Sequence, residues 1–239
     1  MNLNKLGDIK INGIGSSNGG SFEKVDLNGK GTVNGDIECV QFECNGVGAV
    51  KGNVKSQLAK INGTAKITGK LAADQLFING AASIHEGVDA NKMDVSGKAS
   101  VSGPVKGHEI KVNGKLSVKG NCDAEEFSGE GAFSIDGLLN AENIQVKLFS
   151  ESKAKEIGGK KIIILQHKES LFKFLKSFFH VKLQAELIEG DEIELEGTVA
   201  DIVRGKHIKI GKNCEIDLVE YSGDFFMEKN AQVKEYRKL

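Results

Sequence analysis

Apolar positions in this chain alternate with polar ones in steps of two, and the whole pattern then returns with a period of seventeen. Val25, Phe42, Ala59, Leu76, Met93, Ile110, Phe127 and Ile144 form one such column, and Leu27, Cys44, Ile61, Ile78, Val95, Val112, Gly129 and Val146 form a second. A third runs from Val33 to Ile135, a fourth from Ile37 to Leu139, and a fifth of small residues from Cys39 to Ala141. A step of two is the period of a β-strand, so every repeat is strand-like and turns one side toward a core. Glycines keep the same phase: Gly29, Gly46, Gly63, Gly80, Gly97, Gly114 and Gly131 form one column, and a second begins at Gly35 and is broken only at Glu86.

Asn-Gly recurs at Asn28-Gly29, Asn45-Gly46, Asn62-Gly63, Asn79-Gly80 and Asn113-Gly114. Taken singly, each pair reads as a β-hairpin turn. Hairpins, however, give no reason for five apolar columns to stay in phase, whereas a solenoid stacks equivalent positions one above another. The expected fold is therefore all-β, a right-handed parallel β-helix: a triangular solenoid of 17-residue coils with three short strands each, its hand following from the preference of parallel crossovers.

The pattern also suggests divisions. Residues 1–148 read as an N-terminal β-helix. From about Phe149 to Gly190 the period is lost, and Leu171, Phe174, Leu175 and Phe178 follow the spacing of an amphipathic helix with lysines around it. Residues 149–190 are thus expected to be an insertion carrying that helix. The helix reads either as packed on the flank of the solenoid or as lying on a membrane surface, with Lys173, Phe174, Lys176 and Phe178 as the candidate membrane contacts. In residues 191–239 the period returns, with Ile193, Ile210 and Met227 spaced by 17, as are Val199, Ile216 and Val233, and Ile202, Val219 and Tyr236. A second β-helical block is expected there.

Composition supports tight turns around small side chains: 30 Gly, one Pro, no Trp and two Tyr. The net charge of -1 gives no general reason to expect a nucleic-acid partner. Cys39, Cys44, Cys122 and Cys214 form no CxxC pair and fall in apolar phase, as reduced thiols buried in a cytoplasmic protein would. The start MNLNKLGDIK lacks the apolar stretch of a signal peptide, and the longest aliphatic run, Ile162 to Leu165, is too short to span a bilayer. The expected location is the cytoplasm, with membrane association as the further option.

Residues for chemistry are scarce. His85, His108, His167, His180 and His207 share no metal-ligand spacing. Ile208 to Ile216 resembles a hexapeptide acyltransferase repeat locally, but a 17-residue period is not a multiple of six. No GxxxxGK[ST] loop cradles a phosphate. No catalytic, cofactor-binding or metal-binding residue is expected, and no nucleotide.

The Gly-punctuated coils from Val25 to Leu148, with Ile188 to Glu196 and Ile208 to Tyr221, resemble the bactofilins, polymer-forming cytoskeletal proteins of bacteria. The resemblance implies a right-handed triangular β-helix that assembles without nucleotide into nonpolar filaments, often at the membrane, and scaffolds envelope, cell-shape or motility proteins. Two blocks around a helix depart from the single β-helix with disordered tails that typifies the family. End coils leave backbone groups and core side chains open to a second copy. Ile9, Ile11 and Ile14 at one end, and Phe225, Met227, Val233 and Tyr236 at the other, are the candidate polymerisation interface of a homopolymer. An acyltransferase-type enzyme and a monomeric β-helical adaptor remain as alternatives.

Overall fold

The computed structural model describes residues 6–166 and 182–239, and every regular element among them is a β-strand. Two compact units are present, the first made of residues up to Ile110 with Gly114–Lys119, the second of Lys111–Asn113 with Gly120–Leu239. Each is a parallel β-solenoid.

The first unit holds β1 (Asp8–Ile11), β2 (Ile14–Leu27), β3 (Lys30–Cys44), β4 (Val47–Lys51), β5 (Val54–Ile61), β6 (Thr64–Ile67), β7 (Lys70–Ile78), β8 (Ala81–Ile84), β9 (Gly87–Val95), β10 (Lys98–Val101), most of β11 (Val105–Val112) and β12 (Lys115–Val118). The first coil is one residue shorter than the rest, so that Ile14 pairs with Lys30, and the register then settles at 17: Val54↔Leu71, Leu76↔Met93 and Lys98↔Lys115 are directly paired. All these pairs are parallel, which disposes of the hairpin reading. Each coil has three inward faces, illustrated by Val54 and Ser56, Ala59 and Ile61, then Ala65 and Ile67. The expected columns are the core: Val25, Phe42, Ala59, Leu76 and Ile110 are wholly inaccessible to solvent.

One inward column had no apolar signature. Gly31, Gly48, Ala65, Ala82 and Ala99 line the third face, because the neighbouring column supplies the volume. A Cβ on Gly48 would come within 2.8 Å of Cys44 Sγ and 2.9 Å of Leu27 Cδ1. A large residue in one column thus dictates a small one beside it.

The Asn-Gly pairs are corners. At Asn62-Gly63 both backbone N–H groups donate to the Cys44 carbonyl at 2.9 Å. The side-chain amides form a ladder, Asn79 donating to Asn62, Asn62 to Asn45, Asn45 to Asn28 and Asn28 to Asn12, at 2.7–3.1 Å. Glycine is required beside the rungs from Asn28 to Asn79, since a Cβ on Gly63, for example, would lie 2.0 Å from the Gly46 carbonyl oxygen.

The second unit holds β13 (Cys122–Gly129), β14 (Ala132–Leu148), β15 (Ser152–Gln166), β16 (Leu183–Leu195), β17 (Thr198–Ile210), β18 (Glu215–Tyr221), β19 (Phe225–Met227) and β20 (Gln232–Lys238). The expected loss of the repeat from 149 to 190 is corrected here. Ser152–Gln166 is a coil strand with Ile157, Ile162 and Ile164 buried, and Leu183 already belongs to the next. The period is hidden because it lengthens to 18, as Ile144↔Ile162 shows. No helix occurs among the described residues; the predicted one, with Lys173, Phe174, Lys176 and Phe178, lies outside them.

The later columns also need correction. Ile193 stacks on Ile208, a step of 15, and Ala200 on Ile216, a step of 16; only Ile210↔Met227, Ile216↔Val233 and Val219↔Tyr236 keep 17. Corner shortening explains the error. Dropping two residues preserves the alternation of apolar and polar side chains, so a wrong register still looks apolar.

Candidate functional site: the terminal coils

Among the described residues, β1 and residues 14–22 of β2 have a neighbouring strand on one side only. Ile9 is 7% exposed and pairs with Val25, and Ile11 is half-buried above Leu27. Ile14 is placed differently from its two companions. It is 90% exposed and in register with Lys30, on the outward side of the strand. The inward positions are Gly15 and Ser17, paired with Gly31 and Val33, and farther on Phe22, paired with Cys39. The alternation in Gly15-Ser16-Ser17 is the signal that would have found them, but its small side chains carry little hydrophobic contrast.

In the last coil of the second unit all four expected residues stand over buried ones: Phe225 over Ile208, Met227 over Ile210, Val233 over Ile216 and Tyr236 over Val219. Tyr236 remains 58% exposed. Rings pack into a short stack, with centroids 5.4 Å apart for Tyr221 and Phe225 and 5.3 Å for Phe225 and Tyr236. Phe226, which the periodicity did not single out, points outward beside Lys209.

The final strand is held by charge. Glu220, its side chain only 4% exposed, accepts from Arg204 Nε at 2.7 Å and from Arg237 of β20. Hydrogen bonds from Arg237, then from Arg204, hold its carboxyl below the usual range, outweighing the opposing effect of desolvation.

Little else here resembles a reaction centre. Burial pushes the Cys39 and Cys122 thiols up to about 12 and that of Cys214 to about 11, far from the thiolate a nucleophile requires. Among the described residues no three His, Cys, Asp or Glu side chains group as a metal site. No helix among them is long and apolar enough to cross a membrane.

Comparison with known proteins agrees with the coil architecture. Residues 2–89 match the family model described as bactofilin, polymer-forming cytoskeletal. The chain is 58% identical to the uncharacterized protein YhbE of Bacillus subtilis (strain 168) over 232 residues, covering 97% of this chain and 98% of that one. It is 40% identical to the uncharacterized protein YhbF of the same organism over 88 residues, 37% of this chain and 35% of that one. No solved structure matches. The columns, the Asn-Gly corners and these matches together place the chain in the bactofilin family of polymer-forming cytoskeletal proteins.

Proposed function

We propose that this protein is a non-enzymatic cytoskeletal scaffold whose copies join through their terminal coils into filaments, without nucleotide, in the cytoplasm. The winding is right-handed, the hand that parallel strand crossovers favour. The observation that carries the reading is that, among the described residues, core columns reach the first coil of the first unit and the last coil of the second without a polar cap over them. Ile11 lies in the first of these coils, and Phe225, Met227, Val233 and Tyr236 continue buried columns into the second. Exposed core side chains beside an unpaired strand edge invite another coil of the same kind. The family's polymer-forming character supports self-association. The lateral faces, studded with side chains at coil-to-coil spacing, then present a repeating surface to envelope, cell-shape or motility proteins.

Electron microscopy of purified protein without nucleotide tests this. Filaments are expected for the wild type, and none or only short ones for Phe225→Arg and Ile11→Arg, each of which sets an unpaired charge in a joint. Monodisperse wild-type particles at micromolar concentration would refute assembly. Filaments unchanged in either variant would remove that end from the interface.

A further inference from the structure

An asparagine followed by glycine is chemically fragile, because the next backbone nitrogen has no neighbouring Cβ to keep it away from the side-chain amide. Three more such pairs join the five already named at the corners: Asn12-Gly13, Asn18-Gly19 and Asn34-Gly35. Of the eight glycines, Gly13 alone is exposed, and the other seven are half-buried.

At the five corner pairs the glycine N–H donates to a carbonyl of the preceding coil at 2.8–3.0 Å, as Gly46 does to Leu27 and Gly114 to Val95. At Asn28, Asn45, Asn62 and Asn79 the side-chain Nδ2 is occupied as well, donating to the rung before. Deamidation must use both of these atoms, the backbone nitrogen that attacks and the amide nitrogen that leaves, and the ladder engages both. Asn12 is the last acceptor of that ladder. Its Oδ1 takes the Asn28 Nδ2 hydrogen bond at 3.1 Å, while among the described residues neither its own Nδ2 nor the Gly13 N–H has a partner. Space is open there too: a Cβ on Gly13 would meet nothing within 4 Å, whereas on Gly29, Gly46, Gly63 or Gly80 it would lie 2.0–2.1 Å from a carbonyl oxygen. Asn18 and Asn34 sit instead inside β2 and β3, in register with each other, and a Cβ on Gly19 would come within 2.3 Å of the Asp36 carbonyl oxygen.

We propose that Asn12-Gly13 is a site of spontaneous deamidation, a slow modification that marks the first coil of the first unit. The Gly13 backbone nitrogen gives its proton to water or hydroxide and bonds to Asn12 Cγ. The bond from Cγ to Nδ2 breaks, that nitrogen takes a proton from solvent and departs as ammonia, and a succinimide ring closes. Water then opens the ring at either carbonyl, leaving an aspartyl or an isoaspartyl residue, so that one water is consumed for each ammonia released. The Asn28 amide favours the attack, because it already donates to the oxygen on which negative charge develops. A coil with one neighbour also opens more readily than an inner one. Either product adds a negative charge beside Ile11. The isoaspartyl product also lengthens the backbone at a corner where the Gly13 carbonyl accepts from the Lys30 N–H at 2.8 Å. The chemistry belongs to a single copy; only its consequence for assembly rests on the terminal-coil reading above, in which a free first coil ages and one seated in a joint is shielded.

Peptide mapping by mass spectrometry, after incubation of the full chain in dilute, mildly alkaline solution, tests it, with isoaspartyl methyltransferase labelling as a second readout. Asn12 should convert at least ~10-fold faster than Asn45, Asn62 or Asn79, each of which must first give up two hydrogen bonds that Asn12 lacks. In urea-unfolded chain the pairs should convert at similar rates, which assigns the difference to the fold. Gly13→Ala, for whose methyl the structure leaves room, should slow conversion at Asn12 while the melting temperature stays put. Conversion at Asn12 no faster than at the ladder rungs, or led by Asn18, Asn34 or Asn113, would overturn the proposal, as would a rate that Gly13→Ala leaves unchanged. Mapping repeated where filaments form separates the two readings. Slower conversion at Asn12 is expected there, and an unchanged rate would remove the first coil from the joint without removing the site from Asn12.

Discussion

The two units build the same kind of coil with different fastenings. In the first, the period is constant after the opening coil, and the corners carry a ladder of asparagine amides from Asn12 to Asn79, with glycines from Gly29 to Gly80 that tolerate no Cβ. In the second, the period moves through 18, 15, 16 and 17, and ion pairs between coils are prominent: Lys160 with Glu142 at 2.9 Å, Lys209 with Glu194 at 2.6 Å, and Arg204 and Arg237 with Glu220. The asparagine ladder marks the same corner of successive coils in the first unit, where the period holds at 17 beyond the opening coil; in the second unit glycines also lie against the preceding coil's carbonyls, at Gly159, Gly190 and Gly205, yet the period varies. Long charged side chains reach across a shifted register, so coils fastened by them are free to change length.

Volume is where the two units should respond alike. Phe42 in the first and Phe133 in the second are 0% and 2% exposed, and Phe133 meets Phe127 edge-on at 5.5 Å. Truncation of either to Ala removes a buried ring and leaves a cavity, with an expected loss of about 3–5 kcal/mol in denaturant or thermal unfolding. If Phe133→Ala costs much less than Phe42→Ala, the irregular unit is collapsing around its cavities, and the shared-core half of the comparison fails.

A corner glycine and a glycine at an outward strand position should respond differently. Gly63→Ala sets a methyl 2.0 Å from a backbone oxygen of the preceding coil, which the ladder does not allow to retreat, and a loss of at least ~3 kcal/mol is expected. At Gly158 in the second unit the closest atom to such a methyl is Asn140 Oδ1 at 3.5 Å, so Gly158→Ala should stay within about 0.5 kcal/mol. Melting temperatures of the two variants decide it. Equal shifts would mean that the corner contact is not what holds the register.

The same contrast explains how much could be read from the residues. Coils with a constant period announce themselves, since Leu76, Met93 and Ile110 recur in phase. The Gly31 to Ala99 column was invisible because glycine and alanine show no preference for either side of a strand; only their large neighbours, such as Leu27, reveal that they point inward. β15 was missed because a lengthened coil breaks the phase, and the stacking of Ile193 on Ile208 because a coil shortened by two residues leaves the alternation intact. Of the candidate ends, the C-terminal four were legible as the continuation of columns at a true 17-residue spacing. Ile14 was not, because the first coil is one residue short and turns that side chain outward.

The smallest expected effect on overall stability is at Glu220, which fastens the last strand. A terminal coil has one neighbour, so loosening it frays β20 without unfolding the coils before it. Glu220→Gln removes the negative charge that Arg204 and Arg237 share, while keeping shape. Amide exchange across Gln232–Lys238 should accelerate, and the melting temperature of the chain should move by less than ~2 °C. The pH dependence has a definite sign. Because the folded carboxyl is held below its ordinary value, its contribution is present above the unfolded pKa of about 4.3 and disappears as pH falls through the folded one. Wild-type β20 should therefore be protected at neutral pH and lose protection in strong acid, after correction for intrinsic exchange rates, whereas the Gln variant should be weakly protected at both. Wild-type protection that is already low at neutral pH, or a Gln variant indistinguishable from it, would show that the aromatic stack of Tyr221, Phe225 and Tyr236 holds the end without help from charge.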